Sequence, residues 1–591
     1  MTEAAAIVGR HGRLASQRPL SSMTSGTVDE ALVGHRGARA VRAVTAVILA
    51  GAVLRLIAYF AARSLWLDEA MLANNIVGRT FVALLGPLGE NQSAPWLFLF
   101  GERAATVVAG SNELALRLLP LATGIALPYV VWLTGRRIFD DTAGVVAAAI
   151  AALSPLLLYY SNEVKPYGID SVVCVSLVLF TLRVLDDPSQ SARWVALLLA
   201  GVAGLWTAFP SAFVLAGCWC ALLSSAEARR SRRARRMLPL AVIAWGAAFV
   251  APYVHVIRHA ATDPFLTTFF ADRFLIPGRG ALVSLWRLWQ DVSIDVFMGR
   301  DAVARAPRSA ELGLSVVILV LCALGGREVA RRRGAAGVLL LAGPMAIGLL
   351  ASTLRLYPLA IRLWAFSAPL WALLAAAGVS RGARAVGERT RRVGAASVGV
   401  FATASLLSLP VLDAALGMGN PYWRRAHIRP LIRVLQAQQQ ATGDAIYVTA
   451  RAAPQWLFYT TAWRTDPAPV QRDSAVQWLE ARTCSRPTAV PRACQLLGKP
   501  SSVVYREVTG FDGRPDTAWA SGEVGRLRAV ASPCGWVLMH LPYPGEPAAF
   551  AAAFAAQGGR VDDALEDREH PNRDAATKAF RVCFDTPARH M

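Results

Sequence analysis

The sequence predicts a polytopic α-helical membrane protein of about eleven transmembrane helices, followed by a C-terminal extracytoplasmic α/β domain. Three observations predict it. Of 591 residues, 54% are hydrophobic and only 17% are charged, a balance that excludes an ordinary soluble chain of this length. Apolar windows of about 20 residues, enough to cross a bilayer at about 1.5 Å of rise each, recur between residues 41 and 415. Past residue 416 the pattern changes to short strand-like runs alternating with helical ones.

The net charge of +21 would suggest a nucleic-acid partner if it lay on one soluble face. The basic residues instead stand in short clusters between apolar runs, a topology signal, and no nucleic acid is expected. Residues 1–40 are polar, Arg-bearing and rich in Ser, Gly and Ala, and read as a disordered cytoplasmic tail. The apolar run that follows is too long for a signal-peptide core, so it is an uncleaved first helix.

Within the membrane domain, 41–415, spanning windows fall at 41–62, 113–133, 142–161, 166–185, 193–208, 210–225, 238–257, 311–325, 335–352, 360–379 and 394–415. Arg136 and Arg137, Arg183 and Arg193, the run from Arg229 to Arg236, Arg327 to Arg333, and Arg381 to Arg392 occupy alternate connections. The positive-inside bias makes those connections cytoplasmic. The expected placement is a multi-pass plasma (inner) membrane protein with a cytoplasmic N-terminus and, after an odd number of spans, an exported C-terminus.

Loops 63–112 and 258–310 and the region 416–591 are then extracytoplasmic. The first loop holds WLDEAMLANNIVGR and APWLFLFGERAATVVAG, helical in spacing but too short or too charged to span, and they read as interfacial helices. In the C-terminal region DAIYVTA, SSVVYREV and GWVLMHL read as strands, and RPLIRVLQAQQQ and EPAAFAAAFAAQG as helices. Cys174, Cys218, Cys220 and Cys322 fall in membrane windows, and Cys484, Cys494, Cys534 and Cys583 in the exported region. Four exported cysteines permit two disulfides in three pairings or four reduced thiols; Cys484–Cys494 with Cys534–Cys583 is the favoured pairing.

Asp68 and Glu69 follow the first helix at its outer end. Successive helical residues point about 100° apart, so only one of the two serves a small site while its neighbour anchors. A carboxylate at the hydrocarbon boundary gains basicity and suits a general base; the bland reading is that the pair favours the dipole of the following helix. In YYSNEVKPYGID, Pro166 suits the first helical turn, which sets Lys165 at the positive end of a helix, where an anion is welcome. Asp170 or Glu163 would neutralise Lys165 internally in the bland reading, and a phosphate at the membrane surface would in the functional one.

In LRLYPLAIRLW, Arg362 is expected in the first turn of the tenth helix with Arg355 nearby. Both are candidates for the same anion or for lipid head groups. Arg117 has Glu113 at i,i+4, so a local ion pair is its default and a ligand contact the weaker reading. Arg55 lies about 20 Å along the first helix from Asp68 and must face the bundle or climb to the interface. His255 and His259 are also i,i+4, but no third ligand is evident and no metal site is assigned. Walker, GxGxxG, HExxH and GxSxG signatures are absent in any supporting context.

Taken in order, LWLDEA, QSAPWLFLF with GSNELALRLLP, LSPLLLYYSNEVKPYGID and YPLAIRLW resemble the GT-C membrane glycosyltransferases. The closest branches are the protein O-mannosyltransferases and lipid A aminoarabinose transferases of glycosyltransferase family 39 and its relatives. The likeness covers about residues 41–380. It implies a GT-C fold and transfer of a hexosyl or pentosyl group from a polyprenyl-phosphate-linked sugar, with inversion, to a lipid, glycan or protein acceptor outside the bilayer, a step of cell-envelope glycan biosynthesis. It also implies Asp68 as base, Glu69 as its neighbour, and Lys165, Tyr167 and Arg362, with Arg355 and Arg117, toward the donor phosphate. No cofactor is required by this chemistry; some GT-C branches use a divalent cation, and no exported DxD triplet is evident here. The alternative is a transporter or flippase for a lipid-linked saccharide, in which the same cations bind phosphate without chemistry; a non-catalytic receptor is a third reading. Trp423, Trp456, Trp463 and Trp478 could stack on sugars, though aromatic residues more often fill an α/β core.

Overall fold

The computed structural model describes residues 21–278, 280–390, 395–419, 428–449, 451–460, 503–505, 517–529, 531, 533–542, 545–566 and 577–584. The helices are α1 Ser21–Phe60, α2 Leu67–Gly78, α3 Trp96–Ala109, α4 Glu113–Ile138, α5 Asp141–Leu153, α6 Pro155–Tyr160, α7 Tyr167–Asp186, α8 Ser191–Thr207, α9 Ser211–Ser224, α10 Ala226–Arg230 and α11 Arg232–Pro252. They continue with α12 Arg258–Thr262, α13 Pro264–Phe269, α14 Gly280–Val292, α15 Arg300–Val303, α16 Arg308–Thr353, α17 Ala368–Thr390, α18 Ala395–Gly419, α19 Ile428–Thr442, α20 Ala453–Thr460, α21 Thr517–Arg528 and α22 Glu546–Ala556. Among the described residues six helical segments are long and apolar enough to cross a membrane, and three shorter apolar helices accompany them.

Four windows differ in form from their expectation. The window 142–161 is broken after Leu153, because Pro155 has no N–H to continue the ladder. The carbonyls of Ala151 and Ala152 then accept from the Arg55 guanidinium, at 3.3 and 2.8 Å. Arg55 is therefore wholly buried and faces the bundle. The windows 311–325 and 335–352 are the two arms of α16, joined at Gly334, whose φ of 61° is a left-handed conformation that glycine adopts without Cβ strain. A Cβ on Gly337 would lie 2.9 Å from Val329, which a straight helix forbids; the chain turns back on itself. The window 360–379 begins only at α17, after a 3-10 turn at Ala365–Ser367.

The clustered charges gather at one end of the bundle. Arg137 and Arg333 both reach Asp186, at 2.8 and 2.6 Å. Arg332 and Arg384 meet Asp140 at 3.5 and 3.1 Å, and Arg381 meets Glu328 at 2.9 Å. Three of the basic connections thus close on shared carboxylates, opposite the end where Glu113 opens α4.

The strands β1 Ala445–Val448, β2 Val503–Tyr505, β3 Cys534–Met539, β4 Gly559–Glu566 and β5 Lys578–Phe584 form one sheet in the order β2-β1-β3-β5-β4. The first three are parallel, and β5 runs antiparallel to both β3 and β4. Alternate residues of β3 serve two cores: Trp536 and Leu538 pack with Trp456 under α19 and α20, and Val537 and Met539 with Phe550 and Phe554 of α22. Trp456 is a core residue, 2% exposed, rather than a sugar platform; Trp423, Trp463 and Trp478 lie outside the described residues. So does the expected Cys484–Cys494 pair, whereas Cys534–Cys583 is formed across the β3–β5 register.

This disulfide closes a separation of 49 residues, which in the chain-entropy account is worth about 4 kcal/mol. The double substitution Cys534→Ser with Cys583→Ser, or reduction, is expected to lower the unfolding temperature of the C-terminal region by several degrees, as measured by calorimetry of the full chain in detergent.

Candidate active site

The site is assembled on the loop 63–112, the α6–α7 connection and the segment after α16. The turn after α1 brings Ser64-Leu-Trp-Leu to the start of α2, whose first turn carries Asp68 and Glu69. Adjacent in sequence, the two carboxylates have opposite surroundings. Glu69 is completely buried. Arg117 grips it with three contacts of 2.8–3.0 Å; the Val164 N–H donates at 2.9 Å, the Trp66 N–H at 2.9 Å, and Arg63 lies 3.7 Å away. Burial alone would raise the Glu69 carboxyl. The Arg117 and Arg63 guanidiniums and these hydrogen bonds outweigh it and hold the group at about 2.

Arg117 therefore does not pair with Glu113, the partner that helical spacing predicted. The i,i+4 contact is worth only a few tenths of a kcal/mol on an exposed helix, whereas Arg117 is buried and needs a full charge partner. Its remaining donors meet the carbonyls of Arg63 and Ser64. It has no face left for a phosphate. Glu113 instead accepts from Arg429 of α19 at 2.6 Å and from the Tyr459 hydroxyl of α20 at 3.0 Å.

Asp68 faces the other way, with its side chain 35% exposed, and Arg362 donates to it at 3.1 Å. Arg362 is not in a helical first turn. Pro358 interrupts the segment, the Trp364 indole N–H donates to the Pro358 carbonyl at 3.1 Å, and the Tyr357 hydroxyl donates to Leu363. These bonds hold 357–364 as a loop that delivers Arg362 to Asp68. Phe269 and Phe270 flank the guanidinium at 5.6 and 5.4 Å from its carbon. Arg355 is exposed in a positive-φ turn.

Lys165 stands just before Pro166, the N-cap of α7, and is 7% exposed. Neither Asp170 nor Glu163 forms an ion pair with it; its ammonium donates to Gln92 at 2.7 Å. Burial is the main cause that lowers the Lys165 ammonium, and the positive Arg362 adds to it, while Asp68, Glu163 and Glu69 oppose it. Glu163 accepts from the Tyr159 hydroxyl at 2.9 Å. Burial, reinforced by Glu69, pushes it up to about 7. Tyr167 packs edge-on against Tyr160 at 5.0 Å, within electrostatic reach of Arg362 and Asp68. The arrangement brings together Asp68, Arg362, Lys165 and Tyr167; it leaves Arg355 outside and buries Glu69 and Arg117 behind it.

Gln92 was not singled out from sequence. It follows Glu90 and Asn91, both at positive φ (59° and 52°), and strained backbone of this kind is what fixes a side chain's aim. Gln92 also lines a cavity of about 540 Å³ with Ser93, Trp96, His255 and His259 in its wall. The cavity excludes Asp68 and Lys165 and touches the site through Gln92. Among the described residues no group of three or more His, Cys, Asp or Glu gathers at metal range. The Asp68 carboxylate, already paired with Arg362 and near Lys165, does not suit a divalent ion.

Residues 93–255 match the family described as dolichyl-phosphate-mannose-protein mannosyltransferase. No curated protein matches the chain. ArnT from Cupriavidus metallidurans, solved bound to undecaprenyl phosphate, shares the architecture with a TM-score of 0.51 over 90% of this chain and 97% of that one, at 13% identity. The Archaeoglobus fulgidus oligosaccharyltransferase, solved with Zn and sulfate, aligns at 0.47 over 87% of this chain and 71% of that one, also at 13% identity. The chain is a multi-pass membrane protein with the fold of the GT-C glycosyltransferases.

Glu69→Gln or Arg117→Met leaves a buried opposite charge without its partner, at a cost of about 3–5 kcal/mol; a lowered melting temperature or loss of folded protein in detergent is the expected reading. Because the folded Glu163 carboxyl is raised from the ordinary 4.5 to about 7, its contribution is full below pH 4.5 and is lost as pH rises to about 7. Melting temperature should therefore decline across that window, and Glu163→Gln should flatten the decline.

Proposed function

We propose that this protein transfers a sugar from a polyprenyl-phosphate donor to an acceptor hydroxyl or amine on the extracytoplasmic face of the plasma membrane. The observation that carries the reading is the 3.1 Å approach of Arg362 to Asp68, with buried Lys165 inside the same field. Two cations around one carboxylate leave a net positive charge at a membrane surface, and a phosphate compensates it. The N-terminus of α7 beside Lys165 adds its positive dipole end. The family match over 93–255 and the fold shared with a polyprenyl-phosphate-bound neighbour support the same donor class.

In this mechanism Asp68 takes the proton from the acceptor as its oxygen or nitrogen attacks the anomeric carbon. The bond from that carbon to the phosphate oxygen breaks, and the polyprenyl phosphate departs with the electron pair. A single displacement inverts the anomeric centre. Arg362 and Lys165 meet more negative charge on the leaving phosphate in the transition state than in the bound donor, so their stabilisation is catalytic rather than merely adhesive. Glu69 touches no reactant; it positions its neighbour.

Asp68→Asn is expected to lower the transfer rate by about 100-fold or more while donor binding persists. Lys165→Ala and Arg362→Ala should each weaken polyprenyl-phosphate binding by about 10-fold or more. Mass spectrometry of envelope lipids and glycans from cells with and without the gene identifies the sugar and acceptor; binding of polyprenyl phosphate to purified variants reads the donor site. Full transfer by Asp68→Asn would remove the base from the mechanism.

A further inference from the structure

We propose that Gln455 and His540, both in the C-terminal region, are positioning residues that fix the first turn of α2 and so aim Asp68. This rests on the reading of Asp68 as the base. The first N–H groups of a helix have no partner within it, and α2, at 12 residues, is too short to hold its own geometry without outside contacts. The Trp66 N–H is taken by Glu69. The next, that of Leu67, donates to the Gln455 side-chain oxygen at 3.1 Å, with the amide oriented as its neighbours require.

The same oxygen accepts from His540 Nε2 at 3.2 Å, and the amide nitrogen donates to the Arg451 carbonyl at 2.9 Å. His540 Nδ1 faces the Thr577 hydroxyl at 2.9 Å, and the His540 ring meets Trp66 edge-on at 5.8 Å. Gln455 is 0% and His540 1% exposed. His540 directly follows β3 and Thr577 directly precedes β5, the two strands joined by Cys534–Cys583. A continuous, buried hydrogen-bonded path thus runs from the disulfide-linked sheet to the residue before Asp68. Two further ties keep α20 against the same loop: Asn74 donates to the Pro454 carbonyl at 2.9 Å and the Leu65 N–H to the Tyr459 hydroxyl at 2.7 Å.

A buried hydrogen-bonded path favours the one arrangement that keeps its bonds, because breaking any of them leaves a buried donor or acceptor unpaired. Here the arrangement selected is the angle at which α2 presents its first turn. The C-terminal region is then part of the catalytic apparatus without touching substrate.

The test uses full-length purified protein carrying Asp68→Cys and reads the rate of thiol modification by a charged methanethiosulfonate, corrected with the Asp68 parent. Gln455→Ala and His540→Ala are each expected to shift that rate several-fold, and Gln455→Glu, which keeps an acceptor for the Leu67 N–H, to restore it. If Gln455→Ala does not fold, His540→Gln provides the same reading. Unchanged modification rates in the folded variants overturn the proposal. With Asp68 intact, kcat should fall about 10-fold to 100-fold, the effect of a misplaced group, with the KM for donor unchanged. A thiol-rate shift combined with full transfer by Asp68→Asn would sustain the positioning link and reject Asp68 as base, so the two readings fail separately.

Discussion

The buried Glu69–Arg117 pair is the constraint on which the site depends. A carboxylate wholly removed from water is tolerated only where its charge and lone pairs are met, and here they are met from three directions. Arg117 comes from α4, the Val164 N–H from the α6–α7 connection and the Trp66 N–H from the turn before α2. One side chain therefore ties the loop after α1 to two parts of the bundle. Val164 is next to Lys165 and Glu69 next to Asp68, so the tie that satisfies Glu69 also sets the spacing of the two groups on the open side.

The same constraint explains why adjacent carboxylates differ. A rotation of about 100° between neighbours is enough to send one into the loop's interior and the other toward solvent and Arg362. Glu69 is held ionised by fixed cations. Asp68 shares a half-exposed space with an arginine and a buried lysine. The C-terminal region contributes from behind, through Arg429 and Tyr459 on Glu113 and through α20 on α2.

Much of this was legible in the residues. Long apolar windows and alternate basic connections located the helices, because span length and charge placement are set by the bilayer and need no tertiary information. Strands 445–448, 503–505 and 534–539 were legible as apolar β-branched or aromatic runs; β4, with GRVDDALE, carries too many charges to read as one. Asp68 and Lys165 stood out because charge beside hydrocarbon is expensive. Arg362 stood out too, although its presumed helical turn is a loop held by Tyr357 and Trp364. The Glu113 partner of Arg117 failed because helical spacing reports only neighbours on one surface. Gln92, Gln455 and His540 left no signal of that kind; only the paired positive-φ positions before Gln92 would have marked it, and these are backbone facts.

The sequence by itself determined that the chain crosses a membrane many times, which ends of its helices carry positive charge, and that a few ionisable residues sit where hydrocarbon meets water. Those properties follow from local composition, since the bilayer judges each segment by length and polarity. Tertiary structure alone decided which carboxylate is buried and which is free, which arginine meets each, and that the C-terminal region reaches the first turn of α2. Charge pairing across hundreds of residues depends on where the folded chain brings them, and no spacing along the chain encodes that distance.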